Sequence, residues 1–294
     1  MNPNRHPCIE SATTFIARLV CRPLRMLMVT ALIGSASATP INSATVGAGG
    51  AAFCTSEGGG SSSATMSAKI VCGDNTGSAA ATALAIVGHV GATAKTSEGS
   101  LCCATNADAN ASYVDSVIFS GPSTGLIPVS MNLMFEGILN STNEASAGVK
   151  ALATIGGVLA GSLVANSSNG IGFSCTSTFA GVICGSQFTL GTIQTAIVMV
   201  APNVPIDVFL SIEALSASSG AGTSSTSEFS NSLDFPIGSD LFNLPAGYTA
   251  NSATSFIVDN HFMPTTLAVP EPDVAVLFSV GLFALGAVVR RRAM

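Results

Sequence analysis

Apolar positions in this chain come in short runs broken by Gly, Pro, Asn and Ser, and one long uncharged run, residues 274–289, stands apart from that pattern. The clearest period of two puts Ile206, Val208, Leu210 and Ile212 on one face, with Asp207, Ser211, Glu213 and also Phe209 on the other. Such alternation marks a strand with one buried face. Further runs predict strands at 81–90, 113–120, 127–135, 151–164, 172–175, 187–200 and 226–235. In 151–164 the glycines Gly156, Gly157 and Gly161 weaken a helical reading and leave a bent or bulged strand as the alternative. Pro202-Asn203-Val204-Pro205 predicts a rigid corner between two strands. The Gly/Ser/Ala-rich stretch 39–68 reads as a flexible leader or as long loops of a first hairpin, and 214–225 reads as a glycine-serine loop. Short strands spaced by turn signals predict an all-β, antiparallel β-sandwich of jelly-roll-like form over residues 39–268.

The long run has a different character. Sixteen residues, 274–289, make a single transmembrane helix of about 24 Å, short for a ~30 Å hydrocarbon core unless the bilayer thins or flanking arginines snorkel. Arg290, Arg291 and Arg292 follow it and hold that end in the cytoplasm, so everything before it lies outside. Pro270, Glu271 and Pro272 precede it; the prolines fix φ and remove donors, which predicts an extended, exposed segment. At the other end Arg18, Arg22 and Arg25 lead into the apolar residues 26–34, and Ala36-Ser37-Ala38 offers a cleavage site before Thr39. Positive region, short apolar region and small-residue site predict a secretory signal peptide over 1–38.

The triplet, apolar run and arginine cluster of 269–294, in that order, resemble the PEP-CTERM sorting signal of Gram-negative bacteria. The resemblance implies export across the inner membrane and recognition of Pro270, Glu271 and Pro272 by a membrane protease, exosortase. It further implies a transient membrane anchor and release to the cell surface, the extracellular matrix or a biofilm. Signal peptidase and exosortase are the implied processing partners, and exopolysaccharide the implied surroundings. A plain membrane anchor is the alternative use of the tail. Residues 240–249, with the turn Leu244-Pro245-Ala246-Gly247-Tyr248-Thr249, and 257–262 are also similar to the closing part of the extracellular domain in many such proteins. There Tyr248 is expected to pack on the sandwich edge.

Charge sharpens the picture. Seven of the ten basic residues are arginines in the terminal segments, and residues 39–269 hold only Lys69, Lys95 and Lys150 against thirteen acidic residues, a formal −10. That argues against nucleic acid and anionic lipid as partners of the body, since both need clustered Lys and Arg. Six cysteines follow the signal peptide: Cys54, Cys72, Cys102, Cys103, Cys175 and Cys184. In an exported chain they read as disulfides. Cys175 and Cys184 flank the turn-like Ala180-Gly181 and are expected to pair. Cys102 and Cys103, as neighbours, are expected to bond Cys54 and Cys72 in either order. No C-x-x-C occurs and His89 and His261 have no ligand spacing, so no metal or other cofactor is expected.

Motifs for catalysis are weak. Gly47-Ala48-Gly49-Gly50-Ala51-Ala52 has the loose form of a dinucleotide loop without the strand and helix such a loop joins. Gly121-Pro122-Ser123-Thr124-Gly125 matches the nucleophile elbow, and chain order would allow Asp207 or Asp259 with His261 to complete a triad. The strand-like, Pro-containing residues that follow predict a hairpin turn instead. Glu136, Glu144, Glu213 and Glu228 are expected in solvent rather than as a glycosidase pair. Asp74-Asn75-Thr76-Gly77 and Asp108-Ala109-Asn110 read as oxygen-rich turns, with loose calcium binding as the alternative. Asn110, Asn140 and Asn166 head N-x-S/T triplets, which a Ser/Thr-rich chain supplies by chance. With no Trp and only Tyr113 and Tyr248, an aromatic platform for sugar is poorly supplied. The expectation is an exported, non-catalytic surface or matrix protein whose polar loops meet polysaccharide; the alternatives are a secreted hydrolase, using Ser123 or a carboxylate pair, and a carbohydrate-binding module.

Overall fold

A computed structural model of the chain describes residues 41–50, 55–58, 63–72, 75–98, 104–142, 144–168 and 172–264. The strands, in order, are β1 (Ile41–Gly50), β2 (Thr55–Gly58), β3 (Ser63–Cys72), β4 (Asn75–Ile86), β5 (His89–Glu98), β6 (Thr105–Ser120) and β7 (Ile127–Ser141). A meander follows: β8 (Ser146–Ile155), β9 (Val158–Ser168) and β10 (Gly172–Ser177). Then come β11 (Gln187–Gln194), β12 (Val198–Val200), β13 (Pro205–Ser218) and β14 (Ser224–Phe229). Four short strands close the body: β15 (Phe242–Asn243), β16 (Thr249–Ser252), β17 (Ile257–Val258) and β18 (His261–Phe262). No helix occurs among the described residues.

These strands form a β-sandwich. One sheet runs β10-β9-β8-β13-β6-β1-β2, with β16 also on β6; the other runs β11-β7-β14-β5-β4-β3, with β12 and β15 on β7. Pairings within both sheets are antiparallel. The pairs are nested: β5 lies on β14, β6 on β13, β7 on β11 and β12, and β8 on β9, with successive pairs falling in alternate sheets. The chain is thus a long ribbon doubled on itself and wrapped round a single core.

Side-chain size sets the core. In β6 every second residue is buried, so Ala107, Ala109, Ala111, Tyr113, Val117 and Phe119 line the interior. Opposite them stand Ala79, Ala81, Ala83 and Ala85 of β4 and Ala92 and Ala94 of β5. Alanine facing alanine needs little room, and Cα atoms of β4 and β6 come within 8 Å, closer than the ~10 Å usual between stacked sheets. Elsewhere aromatic side chains fill the gap: Phe135, Phe188 and Phe229 meet with ring centroids 5.4 to 5.7 Å apart.

The all-β architecture expected from the pattern holds, and β13 buries Val208, Leu210 and Ile212 as the alternation predicts. Several boundaries differ; among them 187–200 divides into β11 and β12, and 226–235 is strand only as far as Phe229. The expected strand 81–90 is a β4–β5 hairpin turning at Val87-Gly88, where Gly88 adopts φ +69°. The expected bent strand 151–164 is likewise the β8–β9 hairpin, turning at Gly156 and Gly157, both with positive φ. The expected leader contains β1, whose Ala44, Val46 and Ala48 point into the core while its backbone pairs with β6 over its whole length. The expected loop 214–225 is strand as far as Ser218 and again from Ser224.

Candidate functional site

The interior carries a carboxylate. Period-two alternation in β6 places Asp115 on the inward face between Tyr113 and Val117, and it is 3% exposed. The Tyr113 hydroxyl donates to Asp115 Oδ2 at 3.0 Å, Thr254 Oγ1 donates to the same oxygen at 2.9 Å, and Ser116 N–H donates to Oδ1 at 2.8 Å. Burial raises the Asp115 carboxyl above the ordinary carboxylate range, opposed by the hydrogen bonds from Thr254, Ser116, Tyr113 and Ser252. Burial also raises the Tyr113 phenol, helped by the neighbouring Asp115 charge and hydrogen bond, so it stays protonated and donates. Ser252 Oγ continues the chain: it lies 3.0 Å from Thr254 Oγ1 and accepts from Phe256 N–H and Ile257 N–H.

This cluster ties down the C-terminal strap of the body, residues 230–264. Both histidines of the body face aspartates in the strap, His89 Nδ1 on Asp234 Oδ1 and His261 Nδ1 on Asp240 Oδ1, the latter at 3.7 Å. Tyr113, Phe235 and Phe262 stack edge to face in sequence, and the Phe262 ring covers Gly88, leaving no space there for a Cβ. A second polar knot sits between the sheets towards the opposite end. There Thr96 Oγ1 lies 3.0, 2.6 and 2.9 Å from the hydroxyls of Ser216, Ser218 and Ser225.

Ser123 lies in the connection from β6 to β7, which crosses between the sheets and so is not the expected hairpin. Ser123 Oγ accepts the Gly125 N–H at 3.0 Å and Ser123 N–H donates to the Tyr248 hydroxyl at 3.0 Å. The Asn203 side chain clamps the loop through both the N–H and the carbonyl of Gly121. Strand β7 follows where a nucleophile elbow requires a helix, and His261 is engaged by Asp240 rather than by Ser123. Asp207 and Asp259 are not joined to that pair: Asp207 O accepts from Gly156 N–H, and Asp259 N–H donates to Asn251 Oδ1. Tyr248 packs over Gly121 after a turn in which its N–H reaches Pro245 O and Gly247 has φ +84°.

The glutamates are dispersed. Glu213 pairs with Lys150 at 3.1 Å across β13 and β8, and Glu228 with Lys95 at 3.0 Å across β14 and β5, so they lie on different sheets. The Glu136 carbonyl accepts from the Ser232 hydroxyl, and the Glu144 carbonyl accepts from Ser219 Oγ at 3.0 Å. Asp108-Ala109-Asn110, expected as a turn, is the middle of β6, because β1 and β13 both pair with it there. Asn75-Thr76-Gly77 opens β4; Asp74 lies outside the described residues. Among the described residues no group of three or more His, Cys, Asp or Glu side chains is placed to hold a metal ion.

On the outer faces hydroxyls align by register. Ser78, Ser97 and Ser224 face one another across β4, β5 and β14, as do Ser43, Ser112 and the buried Ser211 across β1, β6 and β13. Cys175 and Cys184 are bonded, as their spacing predicts. Cys72 ends β3 opposite Asn75. Cys54, Cys102 and Cys103 lie outside the described residues, with Ala36, Ala38, Thr39, the apolar run 274–289 expected as a helix, Pro270, Glu271, Pro272, Arg290, Arg291 and Arg292. Asp115 was missed by sequence reasoning, although the alternation through Tyr113, Val117 and Phe119 marks its face. No family model, curated protein or solved structure matches the chain.

Proposed function

We propose that this chain is an exported, non-catalytic component of the cell surface or exopolysaccharide matrix, carried there by a PEP-CTERM-type tail and cut free by exosortase. The order of the Pro270-Glu271-Pro272 triplet, the apolar run 274–289 and the Arg290–Arg292 cluster carries the reading. Two features of the body support it. The Cys175–Cys184 disulfide belongs to an oxidising compartment. Two of the three lysines of the body are engaged on the sheet faces, in the Lys95–Glu228 and Lys150–Glu213 pairs, among Ser, Thr and Asn side chains suited to a hydroxylated polymer. The nested, sheet-alternating pairs fit a jelly-roll wrap, a form compatible with a rigid surface module.

Intact mass of the protein from culture medium, cell surface and inner membrane tests the reading. A surface or medium species starting near Thr39 and ending near Pro270 is expected. A single inner-membrane species that keeps Arg290, Arg291 and Arg292 would reduce the tail to an ordinary anchor and remove the matrix role.

A further inference from the structure

The body leaves off at an apolar rim. Around the Phe262–Gly88 contact stand four exposed side chains: Ile86 (45%), Ile237 (74%), Val258 (37%) and Met263 (48%). Pairing brings them together. Ile86 lies opposite His89 across the β4–β5 turn, Ile237 is bridged to Phe262, Val258 opposes His261 in the β17–β18 ribbon, and Met263 N–H is held by Phe256 O. Phe262 is already spent inside, on Gly88 and Phe235, so the four outer side chains have no protein cover among the described residues. Apolar groups gathered in this way mark a contact surface rather than the scattered exposure of an ordinary exterior.

The same rim is where the chain runs on towards its apolar segment. Nine residues, 265–273, separate Pro264 from the run at 274–289. Fully extended, nine residues reach about 30 Å, so an inserted run would hold this end of the sandwich, and no other, within that distance of the bilayer. We propose that, while the tail is inserted, the rim of Ile86, Ile237, Val258 and Met263 seats the body on the lipid surface. The nearby Asp234 and Asp240 face His89 and His261, but Asp259 is exposed and the body has no arginine, so the surface it fits is zwitterionic rather than anionic. Seating rests on the anchoring reading of residues 274–289 and adds an orientation to it.

The test exploits a gap in composition: the chain contains no tryptophan. Full-length protein carrying Ile237→Trp, and separately Met263→Trp, is reconstituted in phosphatidylcholine vesicles beside a control, Ala221→Trp, in the β13–β14 turn at the opposite end. Brominated phosphatidylcholine is expected to quench both rim variants at least twofold more than the control, with emission shifted to the blue. Adding Ile86→Ser and Val258→Ser to the Met263→Trp variant should lower its quenching. Equal, weak quenching at both ends of a chain that floats with vesicles would overturn the seating and leave the anchor standing. A chain that does not float would remove the anchor and the seating together.

Discussion

Tyr113 and Asp115, two positions apart on β6, point into the same interior, and the phenol donates to the carboxylate at 3.0 Å. Because burial raises the Asp115 carboxyl, the folded state holds a proton there more firmly than the unfolded chain. Stability from this group is therefore fully present below the unfolded value, near pH 4, and is lost as pH rises through the higher folded value. Urea midpoints of the parent measured from pH 4 to pH 7 should fall with rising pH. The Asp115→Asn variant should show a shallower slope, and parallel slopes would show that Asp115 does not titrate differently on folding.

Removing the phenol oxygen isolates one donor. Tyr113→Phe keeps the ring against Phe235 and takes away a single hydrogen bond to a partly compensated acceptor, a loss of about 1 kcal/mol. In a cycle with Thr254→Val the two losses should not add, because both donors serve Asp115 Oδ2. Equilibrium denaturation of the four proteins measures the coupling.

Gly88 should resist substitution. Its φ of +69° disfavours any side chain, and the Phe262 ring occupies the space a Cβ would take. Gly88→Ala is expected to cost about 2 kcal/mol or more through strain and displacement of the strap. Thermal melting reads that loss, and rapid proteolysis after Phe235 would show that the strap is the part released.

The Cys175–Cys184 bond closes a short loop, for which chain entropy gives a contribution of about 2 to 3 kcal/mol. Cys175→Ala with Cys184→Ala should lower the denaturation midpoint accordingly. The strand ends next to the other cysteines, Thr55, Cys72 and Ala104, lie at the end of the sandwich away from the strap. Peptide mapping without reduction is expected to find Cys102 and Cys103 joined to Cys54 and Cys72, bringing the intact mass to six hydrogens below the reduced form.

Legibility followed side-chain size. Ile206 to Ile212 declared β13 because large apolar groups alternate with Asp, Ser and Glu. Ala44, Val46 and Ala48 did not declare β1, since small residues carry a weak apolar period and the glycines between them resemble a linker. The ends of β13 and β14 were hidden for a related reason: Ser216, Ser218 and Ser225 look like loop residues, yet their hydroxyls are satisfied inside by Thr96, which faces the first two from the other sheet and pairs with Ser225 in its own. The Gly156-Gly157 pair was visible as a break, but the apolar run over it masked the hairpin, and Gly88 was passed over inside the run 81–90. The disulfide between Cys175 and Cys184 was readable from local spacing. The strap contacts, which join Asp115 to Thr254 and His89 to Asp234, depend on partners more than a hundred residues away and left no local trace.

The nested ribbon has a kinetic corollary. Tyr113 pairs with Leu210 and Lys95 with Thr226, so the outer pairs of the nest join points roughly 100 to 130 residues apart, a high contact order that places folding in the slow, millisecond-to-second range. A chain of this topology cannot complete its core while it is still being threaded through a membrane from its N-terminus. β6 must wait for β13 to arrive, with the backbone edge that β13 will pair left open to water until then. For the export proposed above, time spent as an open half-sandwich, more than the stability of the finished one, would limit how much of this protein a cell could deliver.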